Sequence, residues 1–460
     1  MKEFKSQNSK NYEMNMCTGS ILKKMLMFTL PLMCSSILQL LFNAADIVVV
    51  GRFAGDNSLA AVGSNTSLIS LLTNLFIGLS IGANVLVARF YGAKQEQEVG
   101  KTLHTAMCLS LISGVLLTLI GEIGAKQILT WMQTPPEVLE LAILYLRIYF
   151  IGMTPMMIYN FGSAVLRAAG DTKRPLYYLF GAGIVNVVLN LLFVIIFQMD
   201  VAGVAAATAI SQCISAFLIV RCMMKEEGGM KLVPSKLCLD REKFVHILRI
   251  GLPAGFQGII FALSNVVIQS SINSFGNIVV AGNSAASNIE GFVYFAMNAF
   301  YQATISFTSQ NLGAGEMKRI RRIVITGEMC VTIVGLVLGN GVVLFGDKLL
   351  RIYSQNPKVI LEGMHRLKIV SRTYALCGMM DVMVGALRGI GYSVMPMIVS
   401  LIGACGLRLV WLATIFQVKQ FHTVSCIYIS YPISWILTVS VHIICFEWAW
   451  KQVKKSHMKC

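Results

Sequence analysis

An all-α integral membrane protein is what this sequence predicts, with twelve transmembrane helices in two pseudo-symmetric six-helix halves. Three observations predict it. Of the 460 residues, 56% are hydrophobic and only 13% charged, with a mean hydropathy of +0.69. A soluble domain is about 45–50% apolar and about a quarter charged. Apolar stretches of about 20 residues, enough to cross a bilayer as a helix that satisfies its own backbone, recur from end to end. The second half of the chain also repeats the first at an offset near 221.

The first span, 25–50, opens around Leu30-Pro31 and carries Gln39, Asn43 and Asp46, spaced four and three apart and so on one helical face. The second, 58–88, ends in Tyr91-Gly92-Ala93. After the third, 102–121, and the fourth, 138–162, the segment LRAAGDTKRP (166–175) closes one helix and opens the next. Gly170 suits the turn and Pro175 a first helical turn. Arg167 is expected at the cytoplasmic rim. The fifth span, 175–198, holds Asn186 and Asn190 one turn apart, and the sixth, 201–221, lines up Thr208, Gln212 and Ser215. Lys225 to Lys243, polar and containing Gly228, Gly229 and Pro234, reads as a cytoplasmic linker, 225–243, between halves 1–224 and 244–460.

The seventh span, 246–272, places Leu252-Pro253 where the first has Leu30-Pro31. It carries Gln257, Asn265, Gln269 and Asn273 at multiples of four, and no acid between Gly251 and Asn273. The eighth, 281–309, bears Glu290, Tyr294, Asn298 and Tyr301 and ends in Leu312-Gly313-Ala314. The ninth covers 323–345. The tenth, 368–387, carries Asp381 at the repeat position of Asn160. LRGIGYSVMP (387–396) then matches LRAAGDTKRP in Leu, Arg, Gly and Pro, with Arg388 again expected at the rim. The eleventh, 395–417, contains Arg408, and the twelfth covers 424–449. Six spans per half give both halves the same topology, related by an axis along the membrane normal.

An even number of spans puts both termini on one side. That side holds 27 of the 38 Lys and Arg, the opposite side eight, and the spans three. This skew predicts cytoplasmic termini, with Cys17, Cys238 and Cys460 inside. It also assigns the net charge of +16 to the membrane rather than to nucleic acid. Loop 346–367 breaks the pattern, lying outside yet carrying Lys348, Arg351, Lys358 and Arg366. The twelve cysteines are scattered without a CxxC pair and read as packing residues. Residues 1–20 are polar and the first apolar run is too long for a signal-peptide core.

Leu30-Pro31 with Asp46 fifteen residues on, the tight loop at Gly92-Ala93, LRAAGDTKRP, Asn186 with Asn190, and GVAAATAISQ (203–212) together resemble the multidrug and toxic compound extrusion (MATE) transporters, over nearly the whole chain. The likeness looks closest to the bacterial branch of drug exporters and DNA-damage-inducible relatives. It implies a V-shaped fold of two six-helix lobes around a central cavity, in a bacterial inner membrane. It also implies export of amphipathic organic cations in antiport with Na⁺ or H⁺, with no other cofactor. A monomer is expected. The family's N-lobe cation site uses a carboxylate on the first span, Asn and Asp one turn apart on the fifth, and Thr on the sixth. Asp46, Asn186 and Thr208 match those places, while Asn190 replaces the second carboxylate.

The residues support a similar reading. A charge at mid-bilayer costs about 3 kcal/mol or more and marks a cavity or an ion path. Asp46, Asn186, Asn190 and Thr208 are therefore the candidate coupling-ion residues, with Na⁺ and H⁺ both open. Gln39, Asn43, Asn160, Gln269, Glu290, Tyr294, Asn298 and Asp381 are the candidate cavity residues. Acid and aromatic groups there suit a cationic cargo through charge and cation–π contact. The second half lacks this ion chemistry, because the counterpart of Asn186 is Leu407, beside Arg408. Asp381 has a structural alternative, an ion pair with Arg408, and Glu290 has one as a helix-start carboxylate near the outer surface. His104 and Glu328, near cytoplasmic ends, are expected to reach the interface. A flippase for a lipid-linked saccharide would need a basic ring in the cavity, which the acidic lean of the spans disfavours. A membrane enzyme is disfavoured by the absence of a Walker A loop, HExxH and a CxxC pair.

Overall fold

In lipid a backbone has no partner but itself, and the apolar runs answer with helices. The computed structural model describes residues 12–457; Cys460 lies outside the described residues. In the first half the helices are α1 (Ile21–Phe53), α2 (Asp56–Gly92), α3 (Glu96–Trp131), α4 (Pro136–Ile151), α5 (Met153–Ala168), α6 (Lys173–Leu191) and α7 (Asp200–Met224). In the second they are α8 (Arg241–Asn273), α9 (Asn277–Gly313), α10 (Met317–Leu344), α11 (Gly346–Arg351), α12 (Pro357–Val370), α13 (Ala375–Gly389), α14 (Val394–Ser400), α15 (Leu407–Ala413) and α16 (Val424–His457). Single π turns follow α6 (Leu192–Ile196) and join α14 to α15 (Leu401–Gly406). No strand occurs among the described residues.

Each of the twelve predicted spans falls on helix. Among the described residues, nine helices are long and apolar enough to cross a membrane. The α4–α5 pair, bent by 45° at Gly152, makes a tenth. The other two expected spans, α9 and the α12–α13 pair, fall short of that apolar measure because polar and charged side chains are concentrated there. Thr304, Ser306, Thr308, Ser309, Gln310 and Asn311 of α9 are all buried.

The repeat is written into the backbone. α2 and α9 are both 37 residues long and start at the same offset. Gly55 (φ 89°) and Gly276 (φ 91°) precede them, and Gly170 (φ 96°) and Gly391 (φ 101°) turn the chain within the two Leu-Arg-x-x-Gly segments. Glycine alone takes this left-handed region without strain.

Packing divides the chain into two units. Unit 1 is Cys34–Gly255 with the described residues before Met16, and unit 2 is Met16–Met33 with Phe256 onward. The edges of these units do not coincide with the expected boundaries at 224 and 244. They fall just after Pro31 in α1 and Pro253 in α8, the two prolines inside those helices. In unit 1 the start of α8 packs on α2 through Gly78, Gly82, Gly251 and Gly255, where any Cβ would meet the facing helix. Small residues let membrane helices approach this closely. Phe161, Leu103, Ile219 and Ile247 centre one core of unit 1 and Phe150, Leu117 and Val204 another. Tyr428, Trp435, Met380 and Leu387 centre that of unit 2.

Residues 225–243, expected as a linker, pack within unit 1. Met230 and Leu232 are buried, Val233 N–H donates to His104 Nε2 at 3.1 Å, and Asp240 N–H donates to Thr105 Oγ1 at 3.2 Å. His104 is thus buried against the linker rather than reaching the interface. Segment 346–367, expected as an outside loop, is largely helical. It forms α11 and most of α12, and Arg366 is a buried side chain on the buried face of α12.

Candidate functional site

In unit 1, α1, α6 and α7 bring Asp46, Asn186, Asn190 and Thr208 together. Gly183 makes the approach possible, because the Phe42 ring occupies the space a Cβ would need there. Phe42 lies one turn before Asp46 and Gly183 one turn before Asn186, so this contact sets the carboxylate beside the amides. Asp46 Oδ1 accepts from Asn190 Nδ2, and Asp46 Oδ2 accepts from Thr208 Oγ1 at 3.4 Å. Asn186 Nδ2 donates to Thr208 Oγ1 at 3.3 Å, and Asn190 Nδ2 donates to Asn186 Oδ1 at 3.3 Å. The net closes on itself.

Asn186 and Asn190 are buried, and Asn190 Oδ1 has no hydrogen-bond partner among the described residues. Two carboxylate oxygens, two amide oxygens and a hydroxyl suit a hard cation, and the unanswered Asn190 oxygen fits that donor set. The π turn Leu192–Ile196 begins two residues after Asn190. Such turns inside helices occur often at functional sites.

The rest of the predicted stripe stands apart. Gln39 and Asn43 are exposed on α1 and outside the net, and Asn160 Nδ2 donates to Met156 O of its own helix at 2.9 Å. Two neighbours were missed from the sequence. Tyr145 and Tyr149 of α4 lie within electrostatic reach of Asp46, their rings 5.7 Å apart. Their i, i+4 spacing inside the fourth span was the available signal.

Unit 2 gathers its polar residues in two places. In the first, Glu290 is bound by Arg366 through Nη2 at 2.7 Å and through Nε at 3.3 and 3.2 Å, and accepts from Ser371 Oγ at 3.3 Å. Arg366 Nη1 donates to Asn283 Oδ1 at 2.6 Å. Asn283 Nδ2 donates to Gln269 Oε1 at 2.9 Å, which ties in Gln269. Glu290 is therefore a buried ion-pair member, not a helix-start carboxylate near the outer surface. A segment that looked like an outside loop supplied its partner.

In the second place, Asp381 acts electrostatically on Tyr294, and Asn298 Oδ1 accepts from Gln302 Nε2 at 3.0 Å. The alternative ion pair between Asp381 and Arg408 does not form among the described residues. Arg408 Nε donates to Ser434 Oγ at 2.8 Å instead. Arg388 is likewise not at the rim. It is buried, donating to Tyr301 Oη and, at 2.8 Å, to Gln257 Oε1. Glu328 does not reach the interface either, because both its carboxylate oxygens are buried.

A family model described as MatE matches residues 31–192 and 253–413, one stretch in each half. The probable multidrug resistance protein YoeA of Bacillus subtilis (strain 168) is 26% identical over 94% of this chain and 95% of its own length. The probable multidrug resistance protein YpnP of the same organism is 28% identical over 85% of this chain and 87% of its own. A solved structure described as the outward-facing conformation of a multidrug resistance MATE family transporter of the MOP superfamily shares 21% identity. Its TM-score is 0.88, over 97% of this chain and 98% of that one.

Proposed function

Since the chain belongs to the MatE family and is a multi-pass membrane protein, we propose that it is a secondary active exporter of amphipathic organic cations, coupled in unit 1 to inward flow of Na⁺ or H⁺. Names of its relatives support drug export, YoeA and YpnP being probable multidrug resistance proteins. The observation that carries the coupling reading is the closed net of Asp46, Asn186, Asn190 and Thr208, in which a carboxylate on one spanning helix meets hydroxyl and amide groups from two others.

In this reading Asp46 alternates between holding the ion and hydrogen-bonding its neighbours. Loading biases unit 1 toward one conformation and release toward the other, through the different affinities of the two. Asp381, Tyr294 and Asn298 hold cargo in unit 2. Glu290 serves as structure. The protein sits as a monomer in a bacterial inner membrane with both termini cytoplasmic, as the charge skew supports.

The test is ethidium and berberine uptake into everted vesicles under Na⁺ and pH gradients imposed separately. One gradient should drive uptake in the parent, and Asp46→Asn should abolish it at normal expression. Undiminished pumping by Asp46→Asn would make the carboxylate architectural.

A further inference from the structure

Segment 346–367 carries basic residues on the side where the charge skew expects few. Glu290 accounts for Arg366. Lys348, Arg351 and Lys358 are left without a role. The helix α11 starts two residues after α10, a spanning helix that ends at Leu344, and so lies where that helix leaves the lipid. Its inner side is fixed. Leu350 is buried in a small core with Ile360 and Leu367 of α12 and Ala286 and Ile289 of α9. Gly346, one turn before it, lets Met364 of α12 close on the backbone.

The outer side is built differently. Leu344 and Ile352, which bracket α11, are 78% and 77% exposed, and Phe345 and Tyr353 beside them are exposed as well. Between them Lys348 and Arg351, three residues apart, share one exposed helical face. Arg351 Nε meets Asp347 Oδ2 at 2.8 Å, but both side chains are 57% exposed, and a pair of that kind is weak enough to yield to another anion. With Lys358 and Lys368 of α12, the stretch shows four exposed cations against two acids, Asp347 and Glu362. Water would suit the cations and not the apolar side chains; hydrocarbon would suit the reverse. The boundary between them suits both, with the apolar groups in the acyl layer and the basic groups reaching the headgroups.

We propose that α11 and its flanking residues form an interfacial element that binds anionic phospholipid headgroups. The phosphate lies against Lys348 and Arg351, and Leu344, Phe345, Ile352 and Tyr353 enter the acyl layer of the same leaflet. Charge complementarity selects the lipid, because a basic side chain near the surface favours an anionic headgroup over a zwitterionic one. The surface is separate from the unit 1 net and does not rest on the exporter reading.

The test places the photocrosslinker p-benzoylphenylalanine at position 353 of the full chain, in nanodiscs of phosphatidylcholine with phosphatidylglycerol as the minor lipid. Lipid adducts are identified by mass spectrometry. The same crosslinker at position 333, where Ile333 is 58% exposed near the middle of α10, is the reference. At 353 phosphatidylglycerol should be enriched about fivefold over its share in the disc, the value of one basic side chain near an anionic surface. At 333 it should follow its share. Lys348→Gln with Arg351→Gln should bring the ratio at 353 down to that at 333. Adducts at 353 that follow the disc composition overturn the proposal, as does an enrichment that survives the double substitution. An absence of lipid adducts at 353 puts α11 in water and overturns it too. The parent's ratio at 353 against 333 decides even if the double variant misfolds.

Discussion

Glu290→Gln separates architecture from cargo binding in unit 2. The parent carboxylate is buried and takes three contacts from Arg366 and one from Ser371. Arg366 also rests 5.6 Å from the ring centroids of Tyr428 and Tyr431. The pair therefore ties α9 to α12 just before the break at Ser371–Thr373 that leads into α13. Removing one partner of a buried pair costs about 3–5 kcal/mol, mostly through the charge left behind. Glutamine keeps the shape and one acceptor, which places this variant toward the lower end. At about 2–4 °C per kcal/mol for a unit of this size, the melting temperature should fall by about 6–12 °C. Replacing both partners, Glu290→Leu with Arg366→Met, leaves no buried charge and should recover most of that loss. The assay is thermal unfolding of purified protein followed by fluorescence-detected size exclusion, beside ethidium binding at low temperature. A Glu290→Gln protein that melts with the parent but loses ethidium would refute the reasoning and make Glu290 a cargo ligand.

Gly183→Leu should push Phe42 off α6, separate Asp46 from Asn190, and abolish gradient-driven efflux, with a stability loss of about 1–3 kcal/mol from overpacking; normal coupling would show that the net does not depend on this contact. Asn190→Asp places a second carboxylate beside Asp46 and should lower the Na⁺ concentration for half-maximal efflux or shift the pH profile, and an unchanged response to both ions counts against the site. His104→Ala with Thr105→Val removes two acceptors holding residues 225–243. At about 1 kcal/mol each, trypsin should cut that segment at least fivefold faster in everted vesicles, and equal rates would deny the docking. Cys17 and Cys238 should react with an impermeant thiol reagent only after permeabilisation, and labelling of intact cells would reverse the orientation.

The sequence by itself determined where the helices lie, the repeat and the membership of the unit 1 net. Each of these depends on local chemistry: hydropathy over a span's length, three-to-four spacing, a glycine where φ must be positive, a proline at a helix start. Asp46, Asn186, Asn190 and Thr208 were legible because each lies on a polar stripe of its own helix. The partners of buried charges were not legible. Arg366 and Glu290 are 76 positions apart, and only the packing of α12 on α9 pairs them. Arg388, expected at the rim, is instead held inward by Tyr301 and Gln257, whose repeat counterparts in the first half are Ser80 and Ser36. Arg408 looked like a charge that would repel a cation. Tertiary structure set Tyr431, Trp435 and Ser434 around it, because where a guanidinium points depends on which helix reaches it, and no periodicity within one helix records that.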